Sequence, residues 1–127
     1  LKMATFSVYR FKDADSFNTP EGVMTPLFVD EHVSITRLSL PPKLAVPAHS
    51  HKSNIVAVVL KGQLEVSLGN EKTALKAGDT FFATANTALG ISNPSQKTAE
   101  VLAISYPSSY KSIEELKELL RSFARRG

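Results

Sequence analysis

With 127 residues, 15 Lys and Arg against 12 Asp and Glu, three histidines and no cysteine, the chain carries a net charge of +3 and has the length of one domain. A chain of this size buries roughly 65–70% of the surface its unfolded form exposes, so it supports a hydrophobic core without disulfides; lacking cysteine, it has neither a disulfide framework nor a thiol nucleophile. No run approaches the ~18 apolar residues of a membrane helix and no charged-then-apolar leader opens the sequence, so the expectation is a soluble cytoplasmic protein with no membrane partner.

From Phe6 to Tyr106 the apolar residues come in short runs with period-two alternation, interrupted every ~8–12 residues by turn residues, the pattern of a sandwich or barrel of antiparallel strands. The first strand expected is Ser7–Lys12, followed by Val23–Val29 and Val33–Leu40, with a turn at Asp30-Glu31. Pro26 falls inside a strand and belongs on an edge or at a bulge, because proline donates nothing to a ladder. Pro41-Pro42 ends the third strand. Further strands are expected at Ile55–Lys61, Gln63–Leu68, Lys72–Leu75, Thr80–Ala83, Ala88–Ser92 and Thr98–Tyr106, joined by turns at Lys61-Gly62, Gly69-Asn70, Ala77-Gly78-Asp79 and Asn93-Pro94-Ser95. After Tyr110 the period changes. Ser112 and Glu115 form a capping box, and Ile113, Leu116, Leu120 and Phe123 recur at helical spacing, which predicts an amphipathic helix over 112–126 packed on the outside of the barrel. Arg121, Arg125 and Arg126 gather at the negative end of its dipole. The basic residues of this tail alternate with Glu114, Glu115 and Glu118 and no aromatic stripe accompanies them, so nucleic acid is not an expected partner.

The stretch that suggests chemistry is Pro47-Ala48-His49-Ser50-His51. In extended backbone residues two apart share a face, so both imidazoles point the same way, half of a metal site. His32 follows Asp30-Glu31 and reads as exposed; Ser53 and Asn54, beside the histidines, are expected to satisfy backbone groups. Asp79 is expected to bond turn amides and Glu65 to sit at the surface between inward Leu64 and Val66, so no catalytic carboxylate pair emerges. Phe81 and Phe82 must face opposite sides of their strand, one in the core and the other under the helix or at an interface, with a core role expected for each; Tyr106 and Tyr110 flank the passage to the helix and are expected to anchor it.

These residues resemble the two motifs of the cupins, G-x5-H-x-H-x3,4-E-x6-G and G-x5-P-x-G-x2-H-x3-N. His49, His51 and Gly62 match the first, Gly78 and Asn93 the second, over roughly Val33–Tyr106. The departures are Lys43 at the first glycine, Ile55 at the glutamate, Thr84 at the proline, Asn86 at the inner glycine and Leu89 at the last histidine. The resemblance implies an all-β jelly-roll barrel, a double-stranded β-helix over about 6–106 with the helix behind it, in one domain over 1–127. It also implies a homodimer, for which an edge strand at Ser7–Lys12 would serve.

Metal-binding cupins hold a divalent ion with three histidines and a carboxylate. With Ile55 and Leu89 in two of the four places, His49 and His51 alone bind metal weakly or not at all, so the expected cofactor is none or a loosely held divalent ion. The two aliphatic replacements make an apolar pocket of Ile55, Ala57, Leu89 and Ile91, with His49 and His51 as polar contacts, suited to a small-molecule ligand. Three functional readings follow: a small-molecule binder; a metal-dependent enzyme of dioxygenase or isomerase type using His49 and His51; and a structural or partner-binding domain that docks through its helix.

Overall fold

The computed structural model describes residues 4–126 of the chain. A short turn of 3-10 helix at Phe11–Asp13 precedes ten strands: β1 Phe17–Thr19, β2 Gly22–Val29, β3 Ser34–Leu40, β4 Ala45–His49, β5 Asn54–Lys61, β6 Gln63–Leu68, β7 Glu71–Lys76, β8 Thr80–Ala83, β9 Leu89–Ser92 and β10 Ala99–Tyr106. The helix α1, Ile113–Arg126, closes the chain. The strands form two antiparallel sheets, six in the order β1-β2-β3-β10-β5-β8 and four in the order β4-β9-β6-β7. The jelly-roll class expected from the sequence is therefore the fold.

Alternation decides the core. Inward residues from both sheets, Leu40, Ala57, Val59, Leu64, Ala99 and Val101, form one buried cluster, with Val66 and Ile91 packed against it. Pro26 is fully buried and satisfies both alternatives at once: β1 pairs with β2 only as far as Met24, and the β2–β3 register slips between Pro26 and Phe28. Asp79 accepts from the Lys76 N–H as expected of a turn residue. Asp30 accepts from the N–H groups of Val33 and His32, which hold its carboxyl below the usual range.

Three expectations need correction. Ser7–Lys12 is not a strand: residues 4–10 have no regular structure, and the segment crosses the outer face of the six-stranded sheet, with Tyr9 edge-on to Phe28 at 5.6 Å and Arg37 stacked over Phe11 at 4.3 Å. Its rings find sheet surface to cover instead of an edge to extend, so the barrel begins at Phe17, and the edge strand invoked for dimerisation is not formed. Strands β1 and β4 were not expected. The helix does more than pack outside the barrel: it lies against β1 and β2, with Leu116, Leu120 and Phe123 on the wall of the interior cavity. Its N-terminus is fixed as the sequence suggests, the Ser112 hydroxyl accepting from the Glu115 N–H, while the Glu115 carboxylate reaches back to the Lys111 N–H. The side chains of Arg125 and Arg126, assigned above to the helix dipole, lie outside the described residues. Among the described residues no helix is long and apolar enough to cross a membrane.

Candidate ligand pocket and polar cluster

Both sheets and the helix enclose a cavity of about 260 Å³. All six residues singled out in the sequence line it: His49, His51, Ile55, Ala57, Leu89 and Ile91. Strand pairing explains the convergence. His49, the last residue of β4, lies directly opposite Leu89 of β9, and Ile91 pairs with Val46. Across the barrel, β5 sends Ile55 and Ala57 inward, because two residues along a strand return to the same face. His49 and His51 stand edge to face with ring centroids 4.6 Å apart.

Two structural residues tie the motif segments together. Asn93, wholly buried, donates through Nδ2 to the carbonyls of Leu40, Pro41 and Lys97, and its Oδ1 accepts from the Ser95 N–H and hydroxyl. Asn86, with φ of 66°, sits in the left-handed region, and its N–H donates to the His51 carbonyl at 2.7 Å. The backbone keeps the glycine-like conformation at both substituted positions, since Lys43 also has a φ of 67°.

Sequence reasoning missed Glu21. The Thr19-Pro20-Glu21-Gly22 turn between β1 and β2 is pinned by the Thr19 hydroxyl, which accepts from the Glu21 N–H and donates to the Gly22 carbonyl. Gly22 has a φ of 103°, and a Cβ there would lie 2.4 Å from the Ser39 carbonyl oxygen, so only glycine lets this turn approach β3. The turn sets the Glu21 Oε1 3.1 Å from His49 Nε2. Glu21, His49 and His51 each offer one donor atom within 4.8 Å of the others. Tyr110, at the edge of the same cavity, is pushed up by burial and by the nearby Glu21 and Glu115 carboxylates. Burial pulls the His51 imidazole below its ordinary pKa, and His49 adds to this, while Glu21 opposes it.

The other polar candidates fall where the sequence puts them. His32 is exposed beside Glu31, and Ser53 donates to the Pro107 carbonyl while the Asn54 Oδ1 accepts from the Ala85 N–H. Phe81 lines the cavity and packs against the core, but Phe82, expected in the core or under the helix, is exposed: its side chain lies on the opposite face of β8, which faces away from the cavity.

The family's four-ligand arrangement does not fit these residues, because Ile55 and Leu89 offer hydrocarbon where donors belong. The three donors of Glu21, His49 and His51 do suit a divalent ion, pairing nitrogen with one compensating charge.

The architecture and the motif remnants define a double-stranded β-helix protein with an internal pocket. The chain belongs to the cupin family: the family described as Cupin domain matches residues 36–105, more than half of its length. An RmlC-like cupin from Shewanella frigidimarina superposes with a TM-score of 0.73 at 17% identity, covering 84% of this chain and 96% of that one. The polyketide cyclase RemF from Streptomyces resistomycificus gives 0.73 at 15% identity, covering 82% and 81%. A predicted oxalate decarboxylase from Thermotoga maritima gives 0.66 at 20% identity, covering 79% and 98%. At these identities the likeness is one of fold. No curated protein matches the chain.

Proposed function

We propose that this cupin binds a small, largely apolar organic molecule inside its barrel, with the polar cluster at one side of the chamber orienting it. The observation that carries this reading is the cavity of about 260 Å³ whose walls include Ile55, Leu89 and the apolar face of α1. It lies just below the ~300–1,000 Å³ usual for ligand pockets, a size for one or two fused rings. The helix's apolar face is engaged on the cavity wall, which argues against the docking-surface reading.

The test uses 1-naphthol, a neutral two-ring fluorophore, in the presence of a chelator. Saturable binding at one molecule per chain is expected. Ala103→Phe projects a ring from β10 into the chamber and weakens that binding at least ~10-fold while the fold is retained, as shown by circular dichroism. Equal affinity in the wild type and the filled variant, or no saturable binding to the wild type, overturns the reading. A catalytic version of the same site is favoured by one observation, the Glu21 carboxylate beside the two imidazoles.

A further inference from the structure

The contact between His49 and Glu21 is chemically incomplete. His49 Nδ1 lies 3.1 Å from the Pro47 carbonyl oxygen, which can only accept, so Nδ1 carries the ring proton. In the neutral ring that leaves Nε2 as a bare lone pair. It is shut off from solvent and meets no hydrogen-bond partner of acceptable geometry among the described residues, although the Glu21 Oε1 is only 3.1 Å away. Two lone pairs facing each other at that separation repel, and a positive charge between them removes the conflict. A proton on Nε2 would supply the charge, but the carboxylate lies off the line that an N–H···O bond requires. A metal ion is not bound by that constraint, since it sits beside the line of the two donors and draws on a third. His51 provides the third.

We infer that Glu21, His49 and His51 form a three-donor site for a divalent transition-metal ion, in which a glutamate from the β1–β2 turn takes over the role of the carboxylate lost at Ile55. A tetrahedral zinc ion with ligands at ~2.1 Å spaces its donors about 3.4 Å apart, so side chains within 4.8 Å of one another close on it through small rotamer changes. Nitrogen-rich donors with one carboxylate suit zinc and its neighbours in the first transition row better than magnesium or calcium. Three protein ligands leave at least one position open toward the apolar chamber. One carboxylate against a doubly charged ion leaves the centre net positive, which favours an anionic oxygen over a neutral one as the group that displaces water from the open position. The ligand class is then a small aromatic or aliphatic carboxylate, enolate or phenolate. This deepens the pocket reading above, and the two are separable because 1-naphthol binding is measured with metal removed and zinc binding with no organic ligand.

The experiment titrates zinc into the chelator-stripped full chain by calorimetry. One ion per chain is expected. His49→Ala and His51→Ala each weaken binding at least ~100-fold, Glu21→Gln at least ~10-fold, and His32→Ala, which removes the one histidine outside the cluster, changes nothing. In the zinc-loaded wild type 1-naphthoate binds at least ~10-fold more tightly than 1-naphthol, and Glu21→Gln loses the bound zinc that gives this preference. Three results overturn the site. They are no saturable zinc binding, which reduces the contact to an imidazolium–carboxylate pair; unchanged affinity in Glu21→Gln; or a loss in His32→Ala equal to that in His51→Ala, which makes the binding a surface effect.

Discussion

The segment from Lys43 to Gly62 and the segment from Gly78 to Asn93 each carry one cupin motif, and they have diverged in opposite ways. The first keeps its chemistry: both histidines face the cavity, and only the carboxylate position, Ile55, has become hydrocarbon. The second keeps its architecture. Its donor position is Leu89, yet Gly78 still turns with a φ of 97°, Asn86 still holds the left-handed backbone, and Asn93 still bonds three carbonyls. The second segment also supports the first, through the Asn86 N–H to the His51 carbonyl and the Lys43 N–H to the Asn93 carbonyl. Donor residues and scaffold residues are thus separable: a barrel can lose a ligand from one strand and still hold the ligands of another in place.

The largest effect should come from putting donors back on both segments. Ile55→Glu with Leu89→His returns a carboxylate and an imidazole to positions that line the cavity with His49 and His51, Leu89 lying directly opposite His49. Zinc affinity measured by calorimetry should rise by at least ~1,000-fold, about 4 kcal/mol. A folded double variant that binds zinc no better than the wild type would show that the two segments do not converge on one ion.

Next in size is the scaffold of the second segment. Asn93→Ala removes the amide that satisfies the carbonyls of Leu40, Pro41 and Lys97 in a fully buried position, and should destabilise the fold by about 3 kcal/mol in urea denaturation. Asn93→Asp should cost more, since it sets a carboxylate against three carbonyl oxygens. A loss below ~1 kcal/mol would mean that the clamp is dispensable and that the contrast between the segments is one of sequence only.

How far the molecule was legible follows from the range of each signal. Period-two alternation is local, so the runs behind β2, β3, β5, β6 and β10 could be read directly, and so could the faces of Leu64 and Val66. β1 has three residues and β4 contains Pro47, too little pattern for a strand that pairing alone stabilises. In Ser7–Lys12 the pattern is present, but no neighbouring strand is, and a strand exists only in a ladder. The six cavity residues could be placed because four of them, His49, His51, Ile55 and Leu89, stand at positions of the spaced motifs, and Ala57 and Ile91 follow by alternation. Glu21 could not. It stands in a Thr-Pro-Glu-Gly turn that looks solvent-facing, and what brings it to His49 is the close approach of Gly22 to Ser39, a contact between backbones that no spacing rule encodes.

The smallest effect tests whether the scaffold has been kept at a cost. Lys43 occupies a left-handed position at which the family has glycine, and the Cβ clash there costs roughly 1 kcal/mol. Lys43→Gly relieves it but gives the unfolded chain more freedom and removes the ammonium contact to the Pro94 carbonyl. The net gain should be about 0.5 kcal/mol, seen as a rise of ~2 °C in Tm. Asn86→Gly should gain less, because asparagine tolerates the left-handed region, and it leaves intact the N–H that holds His51. Equal gains at both sites would mean that the residue type at these turns is immaterial; a loss at Lys43 would mean that its side chain contributes more to the junction of the two segments than its backbone strain removes.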